Sequence, residues 1–260
     1  MAELITKKEN GVGWVIFSNP AKFNAVTYDM WVELPKILGA YEADPEVRVI
    51  VITGEGEKAF ISGADISQFE KNRSSADAQV MYNAATAEAY KAPIRCAKPV
   101  IARIRGICIG GGLGLAAACD VRIAAEDAVF RMPAARMGLG YGYSGIQRFV
   151  QIMGQANVAD IFFSARKFGA ADALRMGMVN RVVPVADLDR EIAEYCQMVA
   201  ENAPLTVVSA KFSIRQVGEA PEMRDLDRAQ SLVEACFASE DFKEGRTAFI
   251  EKRTPNFKGC

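Results

Sequence analysis

The chain has 260 residues, half of them apolar and 24% charged, with 31 basic side chains against 32 acidic ones. That length buries a sizeable core in one large domain, and a formal net charge of -1 leaves no basic field to gather nucleic acid or anionic lipid. The chain has no histidine, which removes Ser-His-Asp and Cys-His catalysis, H-E-x-x-H zinc sites and any imidazole base.

The start, MAELITKKENGVGW, has no apolar run of signal-peptide length, and no segment approaches the roughly 18 apolar residues of a membrane span. The expectation is a cytoplasmic chain with no membrane partner and no nucleic-acid partner. Cys96, Cys108, Cys119, Cys196, Cys236 and Cys260 form no C-x-x-C pair and no cluster. They read as reduced thiols, not as a disulfide framework or a metal site.

In chain order, residues 4–8 and 12–18 carry strand character around the turn-prone Glu9, Asn10 and Gly11. Residues 28–43 place Trp31, Leu34, Ile37, Leu38 and Tyr41 at helical spacing. VRVIVIT (47–53) is a near-continuous apolar run, as expected of a strand covered on both faces. A glycine-bearing loop, GEGEKAFISGAD, follows it. Residues 75–92 read as an alanine-rich helix and 99–104 as a second buried strand. GICIGGGLGLAAACD then leads into another helix, followed by the strand VRIAA. Residues 145–153 and 170–176 read as helices with the strand MVNRVV after them, and the pattern is helical from about 186 to the end.

Two loops carry candidate chemistry. ISGADI (61–66) follows a strand, and Gly110, Gly111 and Gly112 open a helix. Small residues admit a ligand close to the backbone, and free N–H groups at a helix start favour negative charge. One N–H from each loop can converge on a developing oxyanion. No G-x-x-x-x-G-K-[ST] is present, and G-G-G-L-G is not the Rossmann pattern. Spacing alone leaves an oxyanion site and a structural turn both open.

Across nearly its whole length the sequence resembles the crotonase, or enoyl-CoA hydratase/isomerase, superfamily. Six stretches carry the resemblance in the family's order: NPAKFNAV, KAFISGADI, AKPVIARIRGICIGGGLGLAAACD, VFRMPAARMGLGYGYSGIQR, ADALRMGMVNRVV and FIEKRTPNFKG. The resemblance implies an α/β fold, a spiral of ββα units over residues 1–200. It also implies a C-terminal helical region, 201–260, for trimerisation and completion of the CoA site. The implied assembly is a homotrimer or a hexameric dimer of trimers. The implied partner is an acyl-CoA substrate, with no cofactor beyond its coenzyme A and no metal. Carried over by position, the oxyanion donors are the N–H groups of Ala64 and Gly111. The CoA contacts fall on Lys22, Phe23, Ala25, Ser62, Asp65, Ile66, Phe249 and Lys252. A lysine suits a CoA phosphate as a mobile point charge; without the family, Lys22 and Lys252 read as solvated lysines and Asp65 as a loop cap.

Hydratases of this family resemble one another in two glutamates that share the water to be added. Here those positions are Gly114 and Ala134, and neither side chain can move a proton. General acid–base groups contribute about 10²–10⁴-fold each, so the two-carboxylate mechanism is not expected. Three readings remain. In the first, a hydratase- or isomerase-like enzyme draws its acid/base group from Arg131, Tyr141 or Tyr143. In the second, decarboxylation of a malonyl- or methylmalonyl-type thioester generates the enolate without a base. FRMPAARMGLGYGYSGIQR is similar to the corresponding segment of methylmalonyl-CoA decarboxylase, including the tyrosine at Tyr141, although that enzyme's oxyanion-loop histidine falls at Ala64. In the third, the protein binds acyl-CoA without turnover. Beside these roles, Tyr141 and Tyr143 also read as wall residues, and Arg131 and Arg136 as surface or intersubunit salt-bridge partners.

Overall fold

The computed structural model describes residues 2–65, 67 and 76–260. Strands β1 (Glu3–Glu9) and β2 (Val12–Ser18) form an antiparallel hairpin whose register pairs Glu9 with Val12. Asn10 and Gly11 both take positive φ, 51° and 76°, as a two-residue turn of this type needs. Helix α1 (Tyr28–Ala43) crosses over to β3 (Val49–Gly54), with the Thr27 side chain capping its first turn. β2, β3, β5 (Val100–Ile104), β7 (Val121–Ala125) and β10 (Arg181–Val183) are parallel and complete a six-stranded sheet.

A second sheet, absent from the sequence reading, is built from four strands of three residues each: β4 (Ala59–Ile61), β6 (Ile107–Ile109), β8 (Val129–Arg131) and β9 (Lys167–Gly169). The first three are mutually parallel and β9 runs antiparallel to β8. Each follows a strand of the larger sheet closely, β3 to β4, β5 to β6 and β7 to β8, and a helix comes next. Those helices are α2 (Ala76–Arg95), α3 (Gly111–Ala118) and α4 (Tyr143–Ser164). The result is the expected spiral of ββα units.

The period-two alternation of β3 is visible in its packing. Ile50 and Ile52 join the main core with Trp31, Leu34, Phe60 and Phe130. Val49 and Val51 face the other way, onto Leu188, Ile192 and Cys196 of α6 (Leu188–Ala200). The strand is buried on both faces, which is why it reads as an unbroken apolar run. α4 is longer than its predicted 145–153; Gly154, at φ 75° and ψ 159°, breaks it internally. α5 (Ala170–Arg175) precedes β10.

Helices α7 (Pro204–Val217), α8 (Leu226–Ala238) and α9 (Glu240–Glu251) close the chain. Lys211 of α7 ties them to the spiral: its ammonium donates to the carbonyls of Pro93 and Lys98 at 2.9 and 2.8 Å and pairs with Asp120 at 2.6 Å. The same Asp120 oxygen accepts the Val100 N–H at 2.7 Å. An apolar groove of about 720 Å³ lies among α7, α8 and α9, with Phe237, Phe249 and Ile250 exposed at its lining. Cys96, Cys108, Cys119 and Cys196 are buried, and burial raises each thiol above its ordinary pKa, so none is an available thiolate. Among the described residues no group of three metal-ligating side chains occurs, and no helix is long and apolar enough to cross a membrane.

Lys211 is only 10% exposed, so removing its charge strands two carbonyls and a carboxylate. Lys211→Met is expected to lower the unfolding free energy by about 2–4 kcal/mol, read as a fall in the denaturation midpoint at unchanged m-value. A midpoint equal to that of the parent chain would show that α7 is held by apolar packing alone.

Candidate functional site

Three loops leave the carboxyl ends of the parallel strands β4, β6 and β8, so they meet at one edge of the small sheet. Ligands bind at this edge in sheets of parallel strands. The β4 loop is Ser62, Gly63, Ala64 and Asp65, the β6 loop is the glycine turn opening α3, and the β8 loop is Met132, Pro133 and Ala134. Backbone contacts weld them together. Gly110 N–H donates to the Arg131 carbonyl at 2.9 Å, and a Cβ on Gly110 would touch the Pro133 ring at 3.7 Å and the Gly63 α-carbon at 3.9 Å. Gly110 takes φ 54° and ψ −114°, a region that side chains exclude.

The chain before α1 fixes the β4 loop from the other side. Val26 N–H donates to the Gly63 carbonyl at 2.8 Å, and Asp65 N–H to the Val26 carbonyl at 2.9 Å. These two bonds flank Ala64 and turn its own N–H away from the bridge. Among the described residues neither the Ala64 nor the Gly111 N–H has a backbone acceptor. Gly111 is the first residue of α3, where the N–H groups are unsatisfied and the helix end is positive. A Cβ on Gly63 would lie 3.8 Å from the Gly111 nitrogen, so the two donors expected from the sequence belong to adjoining turns. Two free amide donors so placed can bind a developing oxyanion.

The opposite end of α3 is anchored by two arginines that the sequence reading did not single out. Arg148 donates to the Ala117 and Cys119 carbonyls at 2.8 and 3.3 Å, and Arg122 to the Cys119 and Met178 carbonyls at 2.7 Å each. Cations at a helix C-terminus satisfy its orphan carbonyls and oppose its negative end. Burial and the neighbouring Arg148 lower the Arg122 pKa to about 10, so it remains a cation at neutral pH.

The remaining sequence candidates divide. Lys22 donates to both Asp65 oxygens at 3.1 and 2.8 Å and to the Ser67 hydroxyl at 2.7 Å. Burial acts to raise the Asp65 carboxyl, but the Lys22 ammonium and the Ser67 donors outweigh it and hold the group below its ordinary value. Ser62 donates its hydroxyl to the Lys22 carbonyl at 2.9 Å and its N–H to the Phe23 carbonyl at 3.1 Å. Phe23 is exposed at φ 52°, and Ala25 is buried. Lys22, Phe23, Ala25, Ser62 and Asp65 therefore form one cluster beside Ala64, with Ala25 and Asp65 buried beneath the exposed Lys22 and Phe23. Ile66 lies outside the described residues. Asn24 is what shapes this cluster, and it was missed: its amide donates to the Glu55 and Ala59 carbonyls at 3.0 and 2.8 Å and accepts from Asn19 N–H at 3.1 Å. Phe249, 85% exposed, and Lys252, at φ 55°, sit at the end of α9, which packs on α8.

Arg131 reaches the site through its carbonyl alone; its guanidinium turns to the Ala165 carbonyl at 2.8 Å. Tyr143 is 82% exposed at the start of α4, and Arg136 is exposed. Tyr141 turns inward, with its ring edge-on to Phe162 at 5.1 Å. Its hydroxyl meets Gly114: a Cβ there would lie 2.8 Å from the Tyr141 oxygen and 3.0 Å from that of Tyr90. Tyr90, on α2, was not anticipated; its ring packs edge-on to Trp31 at 5.5 Å and its hydroxyl donates to the Gly111 carbonyl at 3.3 Å. Only the spacing of Tyr82, Ala89 and Tyr90 on one face of an alanine-rich helix hinted at it. Burial pushes the Tyr141 phenol up to about 12 and raises that of Tyr90 well above its ordinary value. Both are neutral at physiological pH.

α3 approaches β4 so closely that a Cβ on Gly112 would lie 2.3 Å from the Ile61 carbonyl oxygen. Gly112→Ala is therefore expected to push the two donor turns apart, costing about 1–3 kcal/mol of stability. The measurement is thermal unfolding paired with ligand binding at the Gly111 turn; an alanine variant as stable as the parent would mean that this contact does not set the spacing.

The chain matches the family model described as enoyl-CoA hydratase/isomerase over residues 7–260. It is 34% identical over 259 residues to a crotonyl-CoA hydratase of Syntrophomonas wolfei, covering 98% of this chain and 97% of that one. It is 31% identical to a peroxisomal Delta(3,5)-Delta(2,4)-dienoyl-CoA isomerase of Arabidopsis thaliana, covering 98% and 96%. Among solved structures, an enoyl-CoA hydratase/isomerase family protein of Hyphomonas neptunium superposes with a TM-score of 0.91 at 34% identity, covering 98% of this chain and 97% of the other. The spiral of ββα units, the paired donor turns and the full-length match together place this chain in the enoyl-CoA hydratase/isomerase family.

Proposed function

We propose that this protein binds an acyl-CoA thioester and turns it over through an enolate formed without a carboxylate base. The thioester oxygen sits between the Ala64 and Gly111 N–H groups, which strengthen their hold as negative charge develops there. Lys22 and the 22–25 surface beside Ala64 suit the phosphates and adenine of coenzyme A, with Phe249 and Lys252 of α9 completing the site in an assembly of copies. The exposed apolar face of α7, α8 and α9 supports such a homotrimer or hexamer.

The observation that carries the reading is what stands at the two glutamate positions. Gly114 is backed by two neutral phenols, and Ala134 is buried in the main core. Neither position supplies a group that takes a proton at neutral pH. The reaction that fits is loss of CO2 from a malonyl-type thioester, because the breaking C–C bond itself delivers the electron pair to the α-carbon. The relatives' names favour a second reading, water addition or double-bond migration, in which a phenol replaces the missing carboxylate.

Crotonyl-CoA and methylmalonyl-CoA, offered in parallel and followed by mass spectrometry, separate these. CO2 loss without hydration is the expected outcome. Hydration of crotonyl-CoA at enzymatic rates would replace it with the second reading, and binding without conversion of either would make the chain an acyl-CoA-binding protein. Gly111→Pro removes one donor N–H at the first helical position, where proline is tolerated. It is expected to lower kcat by about 10²–10³-fold; a folded variant of parental kcat would move the oxyanion site elsewhere.

A further inference from the structure

We propose that Tyr90 is a catalytic residue of this site, the group that delivers a proton to the enolate carbon, and that Tyr141 is the positioning residue behind it. The proposal rests on the oxyanion reading above and adds to it the step that ends the reaction.

Three observations converge on α2, α3 and the segment before α4. First, the Tyr90 oxygen lies along the face of α3 between the donor turn and the glutamate position. A Cβ on Gly111 would be 3.4 Å from it and a Cβ on Gly114 3.0 Å. The Tyr90 hydroxyl rests on the Gly111 carbonyl at 3.3 Å, a long contact for a hydroxyl donor, while Trp31, the other neighbour of Gly111, donates its indole N–H to Tyr82 at 3.1 Å. Second, the Tyr141 oxygen is sealed from solvent with no hydrogen-bond partner among the described residues. A buried hydroxyl left unpaired is destabilising and calls for a role that supplies its partner. The Tyr90 hydroxyl lies beside it and interacts with it. Third, Gly114 is the residue that makes room for both. A side chain there meets two phenol oxygens within 3.0 Å, so a glutamate and the tyrosine pair exclude each other.

The step balances as follows. CO2 leaves and its bonding electron pair passes to the α-carbon, spread onto the thioester oxygen between Ala64 and Gly111. The α-carbon forms a bond to the Tyr90 hydroxyl hydrogen while the O–H bond breaks, leaving a phenolate. Tyr141 then donates its free hydroxyl to that phenolate, the partner it lacks in the resting protein. Water restores the Tyr90 proton after the acyl-CoA product departs, and the hydroxide so formed is lost to bulk. A phenol held neutral by burial is matched to this task, because the carbanion of a thioester is far more basic than a phenolate. The proton arrives from one face of the enolate, the face that α2 covers.

The test uses the full chain in 2H2O with methylmalonyl-CoA, reading the configuration of the α-deuterated propionyl-CoA by NMR. A second arm follows exchange of the α-hydrogens of propionyl-CoA itself, with melting temperatures recorded for every variant. The parent is expected to give one configuration, Tyr90→Phe a mixture of both, and the exchange rate of Tyr90→Phe to fall about a hundredfold. Tyr141→Phe is expected to retain one configuration while its exchange rises less steeply with pH. A single configuration from Tyr90→Phe, or a mixture from the parent, overturns the proposal and leaves the decarboxylase reading intact. If the parent releases no CO2, that reading falls and the exchange arm decides: loss of exchange in Tyr90→Phe upholds the proton donor, and exchange equal to the parent's overturns it. A parent inactive in both arms removes both.

Discussion

The site depends on a contact between two backbones. The Gly112 α-carbon packs against the Ile61 carbonyl so tightly that a Cβ would overlap it at 2.3 Å. This brings the start of α3 onto the end of β4. It sets the Gly111 amide beside the turn that carries the Ala64 amide, and both point away from the strands that hold them. Everything else at the site serves to keep that approach fixed. Asn24 ties the chain before α1 to the carbonyls around β4, and the Val26 bridge orients the amide of Ala64. Interiors are too closely packed to transmit such a displacement softly, so the donor spacing is a property of the fold and not of one loop.

The sequence made the larger sheet legible and left the smaller one hidden. β3 reads as a strand because both of its faces are buried and every residue is apolar. β4, β6, β8 and β9 are three residues each, too short for a period of two to show, and Phe60, Cys108 and Phe130 look like isolated apolar residues in loops. Yet this hidden sheet positions the candidate site, since three of its strands are parallel and end at one edge. The two donor positions left a different trace: Ala64 and Gly111 present backbone N–H groups, so what the sequence records is the smallness of their surroundings. Tyr143 and Arg131 were misleading because adjacency in sequence says nothing about which way a side chain turns. Tyr141 points inward and Tyr143 outward across a single glycine. Tyr90 leaves only a faint trace in the sequence because its partner, Gly114, is 24 positions away and has no side chain to suggest one.

The charge distribution around α3 follows one logic. An eight-residue helix projects its dipole only within a turn of its ends, so its N-terminus favours negative charge and its C-terminus needs separate treatment. Arg122 and Arg148 supply that at the far end, where their charge neutralises the helix's negative pole without entering the pocket. The acyl side of the site is left to aromatic rings and neutral hydroxyls.

That neutrality has a consequence for which reactions the site favours. A carboxylate beside the α-carbon would repel the developing enolate while serving as a base, a compromise worth making only when a proton has to be removed. With Gly114 and Ala134 in those positions, an enolate bound as proposed would face two amide donors, a helix N-terminus and phenols held neutral by burial. None of these opposes charge accumulating on the thioester. A low-polarity wall also raises the free energy of a substrate carboxylate relative to the delocalised charge that follows loss of CO2, since a concentrated charge loses more on leaving water than a spread one. On the proposed reading, the residues at those two positions give up water activation and favour a reaction that starts by expelling a charged group.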